Sequence, residues 1–110
     1  MKKITFLLAI TMLLLGCGNK NHSGTYKGTA VATYSSYRVN EVSTVRKISK
    51  DRYSISFSNA VCETNVREGF FVFDAYADGH NVFGTGFFEG NKITIDMSIS
   101  GRAIVFTGYK

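Results

Sequence analysis

The chain has 110 residues, enough for one domain with a modest core, and 13 lysines and arginines against 8 aspartates and glutamates, for a formal charge of +5. That mildly basic balance does not point to nucleic acid, and none is expected as a partner. With no proline, no tryptophan and no helix-length apolar stripe beyond its first residues, the chain reads as all-β.

The chain opens Met1-Lys2-Lys3 and runs apolar from Ile4 to Leu15, interrupted only by Thr5 and Thr11. A helix over residues 4–15 would reach about 18 Å, short of a hydrocarbon core of about 30 Å. A basic start, a short apolar run and a small residue before the break form a secretory signal peptide. Leu14-Leu15-Gly16-Cys17 resembles the lipobox of bacterial lipoproteins. The resemblance implies cleavage before Cys17, a diacylglycerol group on its thiol, and acylation, with palmitate for example, of the new amine. A thiol just past the apolar run lies at the membrane surface, and several acyl chains anchor stably where one binds only marginally. The expected division is a lipoprotein signal peptide at 1–16, a lipidated cysteine and tether at 17–23, and a folded domain at 24–110. Gly18, where an aspartate would retain some lipoproteins at the inner membrane, favours the outer membrane of a Gram-negative cell envelope.

The tether, GNKNHS, is polar, and His22 is expected in solvent. From Gly24 onward the periodicity is two. Strands are expected near 25–36, 40–48, 52–58, 67–77, 81–88, 92–100 and 102–109, the first long enough to bend or split, which gives seven or eight. The run KITIDMSIS is the clearest, with Ile93, Ile95, Met97 and Ile99 on one face. SKDR at 49–52, ADGHN at 77–81, EGNK at 89–92 and SGR at 100–102 supply tight reversals. The basic cluster Arg46, Lys47, Lys50 and Arg52 surrounds the first of these and reads as a solvated hairpin end. Cys62, with Cys17 lipidated, has no intramolecular disulfide partner and reads as a small, partly buried hydrophobe. Sequential strands and short turns predict an antiparallel up-and-down meander of seven or eight strands, closed into a small barrel that hides its edges.

Gly24-Thr25-Tyr26-Lys27-Gly28 at the head of the first strand, and the closing hairpin GNKITIDMSISGRAIVFTGYK, make residues 24–110 resemble small bacterial lipoproteins of the lipocalin-like, or calycin-like, β-barrel group. Tyr26 stands near the place where lipocalins carry a tryptophan. The resemblance implies a short barrel, expected as a monomer, that either packs solid or holds one small ligand.

Catalytic chemistry is not expected. His80 lies in the turn DGHN, and Asp78, His80 and Cys62 show no dense metal-ligand spacing. No serine sits in a nucleophile-elbow context, and Glu63, Glu68 and Asp74 form no evident acid–base pair. Neither metal nor cofactor is expected. The first strand presents Gly28, Ala30 and Ala32 between Tyr26 and Tyr34, which either complements bulky neighbours or floors a pocket. The sequence therefore favours a non-enzymatic binding module for a small apolar ligand, with Tyr26, Ala30, Tyr34, Phe73, Tyr76 and Met97 as its inner-face candidates. The alternative is a packed barrel that acts as an interaction or inhibitor protein, using its outside face or loops on a protein or envelope polymer. Phe87 or Phe88, one of which must face outward, is the candidate patch there.

Overall fold

Alternating apolar and polar side chains turn successive residues to opposite faces of a strand, so each such run buries one row and wets the other. In the computed structural model, which describes residues 21–33 and 38–110, this rule produces eight strands. They are β1 (Gly24–Ala32), β2 (Arg38–Lys47), β3 (Arg52–Phe57), β4 (Ala60–Asn65), β5 (Phe70–Ala77), β6 (His80–Glu89), β7 (Lys92–Ile99) and β8 (Arg102–Tyr109). All ladders are antiparallel, and the sheet order is β4-β3-β2-β1-β8-β7-β6-β5.

That order is an up-and-down meander bent round until its first and last strands meet. β1 pairs with β8 from Lys27–Tyr109 to Ala32–Ile104, which gives a nearly closed barrel. The expected fold class is therefore present. Its eighth strand, however, is Ala60–Asn65 and not a split first strand. The run AVCETN points the small Ala60 and Cys62 inward and Val61 outward, so its apolar pattern does not advertise a buried row.

The inward rows supply the core. Tyr26, Tyr53, Ile55, Phe73, Ile93, Ile95, Met97 and Phe106 are the large, fully buried side chains. Turn chemistry follows the twist of the strands. At Asp78-Gly79 and Ser100-Gly101 both central residues have positive φ, as a two-residue hairpin matched to right-handed twist requires. The polar or glycine pairs there are what make such backbone accessible.

The remaining edges, β4 and β5, lie side by side without a ladder between them among the described residues. A side chain bridges this seam. The buried Cys62 thiol accepts from the Asp74 backbone N–H at 3.4 Å and lies 3.7 Å from the Val72 carbonyl, to which it donates. Cys62 is thus a small buried residue, as expected, with a bonding duty that the sequence did not reveal.

Two substitutions test that duty. Cys62→Ala leaves an amide and a carbonyl without their sulfur partner and should cost about 1–3 kcal/mol, read by denaturant unfolding. Cys62→Ser keeps both bonding roles and should cost less. Hydrogen exchange at the Asp74 amide should accelerate in the alanine variant alone.

Candidate ligand-binding site

The meander sends its turns alternately to the two ends of the barrel, and the inward rows taper between them. On β1 the row reads Tyr26, Gly28, Ala30, Ala32; on β5 it reads Phe71, Phe73, Ala75, Ala77. Large rings therefore collect at the end where β1 begins, and small residues at the end where it finishes.

The end rich in rings is plugged. Asn21-His22-Ser23 folds across it, correcting the expectation that His22 lies in solvent. The His22 ring stacks on Phe88 with centroids 4.4 Å apart, and its backbone N–H donates to the Tyr53 hydroxyl at 3.4 Å. The Tyr26 hydroxyl donates to the His22 carbonyl at 2.7 Å. Lys110 Nζ donates to the Ser23 carbonyl at 3.1 Å and sits 5.5 Å from the centroid of the Tyr26 ring. A polar segment becomes a plug because its backbone groups find partners and its imidazole finds a ring.

Among the described residues the opposite end is open. A cavity of about 370 Å³ lies within it, walled by Ala30, Ala32, Glu41, Phe57, Val82, Ile99 and Ile104 and rimmed by Ser58, Asn59, Asp78 and His80. On one side the wall is unzipped. β2 pairs with β3 only from Val45–Ile55 to Lys47–Tyr53, and beyond this the Thr44 N–H donates to the Ser56 hydroxyl at 2.9 Å. The β3–β4 hairpin leans over the mouth there, tied to the β5–β6 turn by Asn59 Nδ2 donating to Asp78 Oδ2 at 3.0 Å. His80 Nδ1 is 2.7 Å from the Ser100 hydroxyl, joining the two neighbouring turns. The volume falls within the range of small-molecule sites, and the lining has their usual character, mostly apolar with a few placed polar groups.

The structure separates the six sequence candidates. Ala30 lines the cavity. Tyr26 lies at the plugged end, and Phe73 and Met97 sit in the packed middle of the core. Tyr76, expected on the inner face, is 69% exposed. It stands three positions after Phe73, and an odd spacing puts two strand residues on opposite faces. Tyr34 lies outside the described residues, as does Cys17. Of the outward candidates, Phe88 is buried, and Phe87 packs against Phe70 on the outside with centroids 4.5 Å apart.

Sequence reasoning missed most of the mouth. Ala32, expected with Ala30 as a possible pocket floor, does line it. Glu41 was also legible by parity, since Val39, Glu41, Ser43 and Val45 form one alternating row. Comparison with protein-family models, with curated proteins and with solved structures finds no match to this chain. What the geometry of the described residues defines is a nearly closed eight-stranded antiparallel barrel with one plugged and one open end.

Burial at the plug, with Tyr53 nearby adding to it, pushes the Tyr26 phenol up from its ordinary 10 to about 12. Between pH 10 and 12 the unfolded chain releases this proton while the folded chain holds it, so stability is full below pH 10 and declines as pH rises towards 12. Tyr26→Phe should lose about 1 kcal/mol at neutral pH with its hydrogen bond. It should also flatten the alkaline decline, as read by melting temperature against pH.

Proposed function

We propose that this chain is a lipid-anchored module of the cell envelope that binds a small, largely apolar ligand in the open end of its barrel, without catalysis. The observation that carries the reading is the cavity of about 370 Å³ at the mouth. The space opens to solvent at the mouth, and its mostly apolar lining suits an apolar occupant better than water. The taper of the inward rows supports it, because small residues on β1 and β5 keep the space open.

The anchor reading rests on Leu14-Leu15-Gly16-Cys17. A diacylated Cys17 four residues before Asn21 would tether the barrel by its plugged end, to the outer membrane for preference, and leave the mouth facing away. Wild-type protein should partition into detergent, whereas Cys17→Ala should be soluble or remain unprocessed. Equal membrane association of the two would contradict the anchor.

Ala30→Phe tests the cavity. Ala30 stands opposite Val39 and Phe106, so a phenyl ring at this position points into the mouth. If the space is a ligand site, the variant should lose 1-octanol binding measured by calorimetry and melt no lower than wild type. A packed core would instead be overfilled and destabilised by about 1–3 kcal/mol.

A second reading has its own observation. Phe70, Val72, Tyr76 and Phe83 form an exposed apolar face on the outside of β5 and β6, with Phe70 61% exposed. A monomer presents few such faces without a use for them. A packed barrel that engages a protein or envelope polymer would use this face. The lower-melting outcome of Ala30→Phe would favour that role.

A further inference from the structure

The charges of the barrel are divided unevenly between its two ends. Ten lysines and arginines lie among the described residues, and all but Arg38 and Arg102 belong to the half that holds the plug. The eight described carboxylates divide four and four, with Asp51, Glu63, Glu68 and Glu89 in that half. These side chains give the plugged half a formal charge of 8 − 4, or +4, and the half at the mouth 2 − 4, or −2. Among the described cations of the plugged half only Arg52 has a carboxylate partner, Glu63 at 4.0 Å, and both are exposed.

Exposed apolar side chains stand among those cations. Ile48 lies in the β2–β3 turn between Lys47 and Lys50. Phe70 is joined to Arg67 by reciprocal backbone hydrogen bonds of 2.8 and 2.9 Å. Tyr109 lies between Lys27 on β1 and Lys92 on β7 in the strand register. The β2–β3 turn is fixed to the β4–β5 connection, because the Val66 N–H donates to the Asp51 carbonyl at 2.7 Å. In the other half, the exposed Phe83 pairs with Asp74 and Ser98, and the exposed Tyr76 with Asn81. An apolar side chain flanked by long cationic ones suits the surface of a bilayer, where rings enter the headgroup layer and cations meet phosphates. The chain itself enters the barrel at this end, through Asn21-His22-Ser23. The four residues from Cys17 to Asn21 reach at most about 14 Å, so a lipid on Cys17 holds the cations within about two Debye lengths of the membrane.

We propose that the plugged end docks on an anionic membrane surface, with Ile48, Phe70 and Tyr109 in the headgroup layer and Lys47, Lys50 and Arg67 against lipid phosphates. The inference rests on the reading of Cys17 as a lipid anchor and names the surface that the anchored barrel touches. An anchor alone leaves the barrel to tumble at the end of its tether. Attraction of the basic end and repulsion of the acidic half at the mouth turn it to one orientation. The cavity then opens on the aqueous side, away from the lipid.

The test places the lipidated protein in nanodiscs of phosphatidylcholine alone, or of phosphatidylcholine and phosphatidylglycerol in equal parts, with a spin label on a lipid headgroup. In the anionic discs the amide signals of Ser49, Gly69 and Asn91 should broaden, while those of Gly79 and Gly101 at the mouth stay sharp. That contrast should be about threefold weaker in the neutral discs, and added salt should weaken it in the anionic ones. Lys47→Gln combined with Lys50→Gln and Arg67→Gln should return the anionic profile to the neutral one, whereas Arg38→Gln at the mouth should leave it unchanged. Ile48→Ser should reduce the contrast without any change of charge. Equal profiles in the two discs, which would leave this end to a protein partner or a second copy, overturn the docking while the anchor stands. A profile that survives the triple substitution, or broadening strongest at Gly79 and Gly101, does the same. Mass spectrometry reads the anchor separately: an unmodified Cys17 overturns the anchor reading, and the docking with it.

Discussion

The ladder that joins β1 to β8, from Lys27–Tyr109 to Ala32–Ile104, turns a row of hairpins into a barrel, and the interior exists because of it. Those two strands approach so closely that a Cβ at Gly28 would collide with the Thr107 backbone carbonyl. Gly108, across from Gly28, yields space in the same way to the Phe106 ring. Closure between the sequence ends, the longest-range pairing in the molecule, is thus made by backbone where side chains would obstruct it. The β4–β5 seam shows the opposite solution, in which sequence neighbours stand apart and a sulfur spans the gap.

Once the barrel is closed, the order of side-chain sizes along the inward rows of β1, β5 and β6 decides what its two ends can do. Tyr26 and Phe71 begin their strands where Phe88 ends its own, and His22 completes that cluster by stacking on Phe88. Ala32, Ala60 and Ala77 lie at the other end, where the same strands leave room. The ring cluster at one end and the room at the other therefore follow from one sequence property. Electrostatics adds a second asymmetry. Lys110 is committed to the plug, whereas the charged groups lining the mouth are Glu41 and Asp78.

Period-two runs with aromatic or β-branched residues were legible in the sequence, and so were their polar or glycine turns. Strands such as Lys92–Ile99 and turns such as Asp78-Gly79 carry their instructions locally. Ala60–Asn65 was not legible, because a strand whose inward residues are alanine and cysteine has little apolar contrast. It is held by its partner Arg52–Phe57, and that pairing is not written in either segment alone. The site was less legible than the fold. Parity could have placed Tyr76 outside and Glu41 inside, but no local rule says which end of a barrel is plugged. That outcome depends on Asn21-His22-Ser23 finding Tyr26, Tyr53, Phe88 and Lys110, residues far apart in the chain.

Among the described residues, one end of the barrel is plugged while the other holds an apolar space. Xenon enters dry apolar cavities without needing a polar contact, so it reports the space independently of any ligand chemistry. Methyl chemical shifts recorded under xenon pressure measure this directly. The largest changes should fall on Ala32, Val82, Ile99 and Ile104, with Ile93 near the plug unmoved. Shifts centred on Ile93, or none at the four mouth residues, would contradict it.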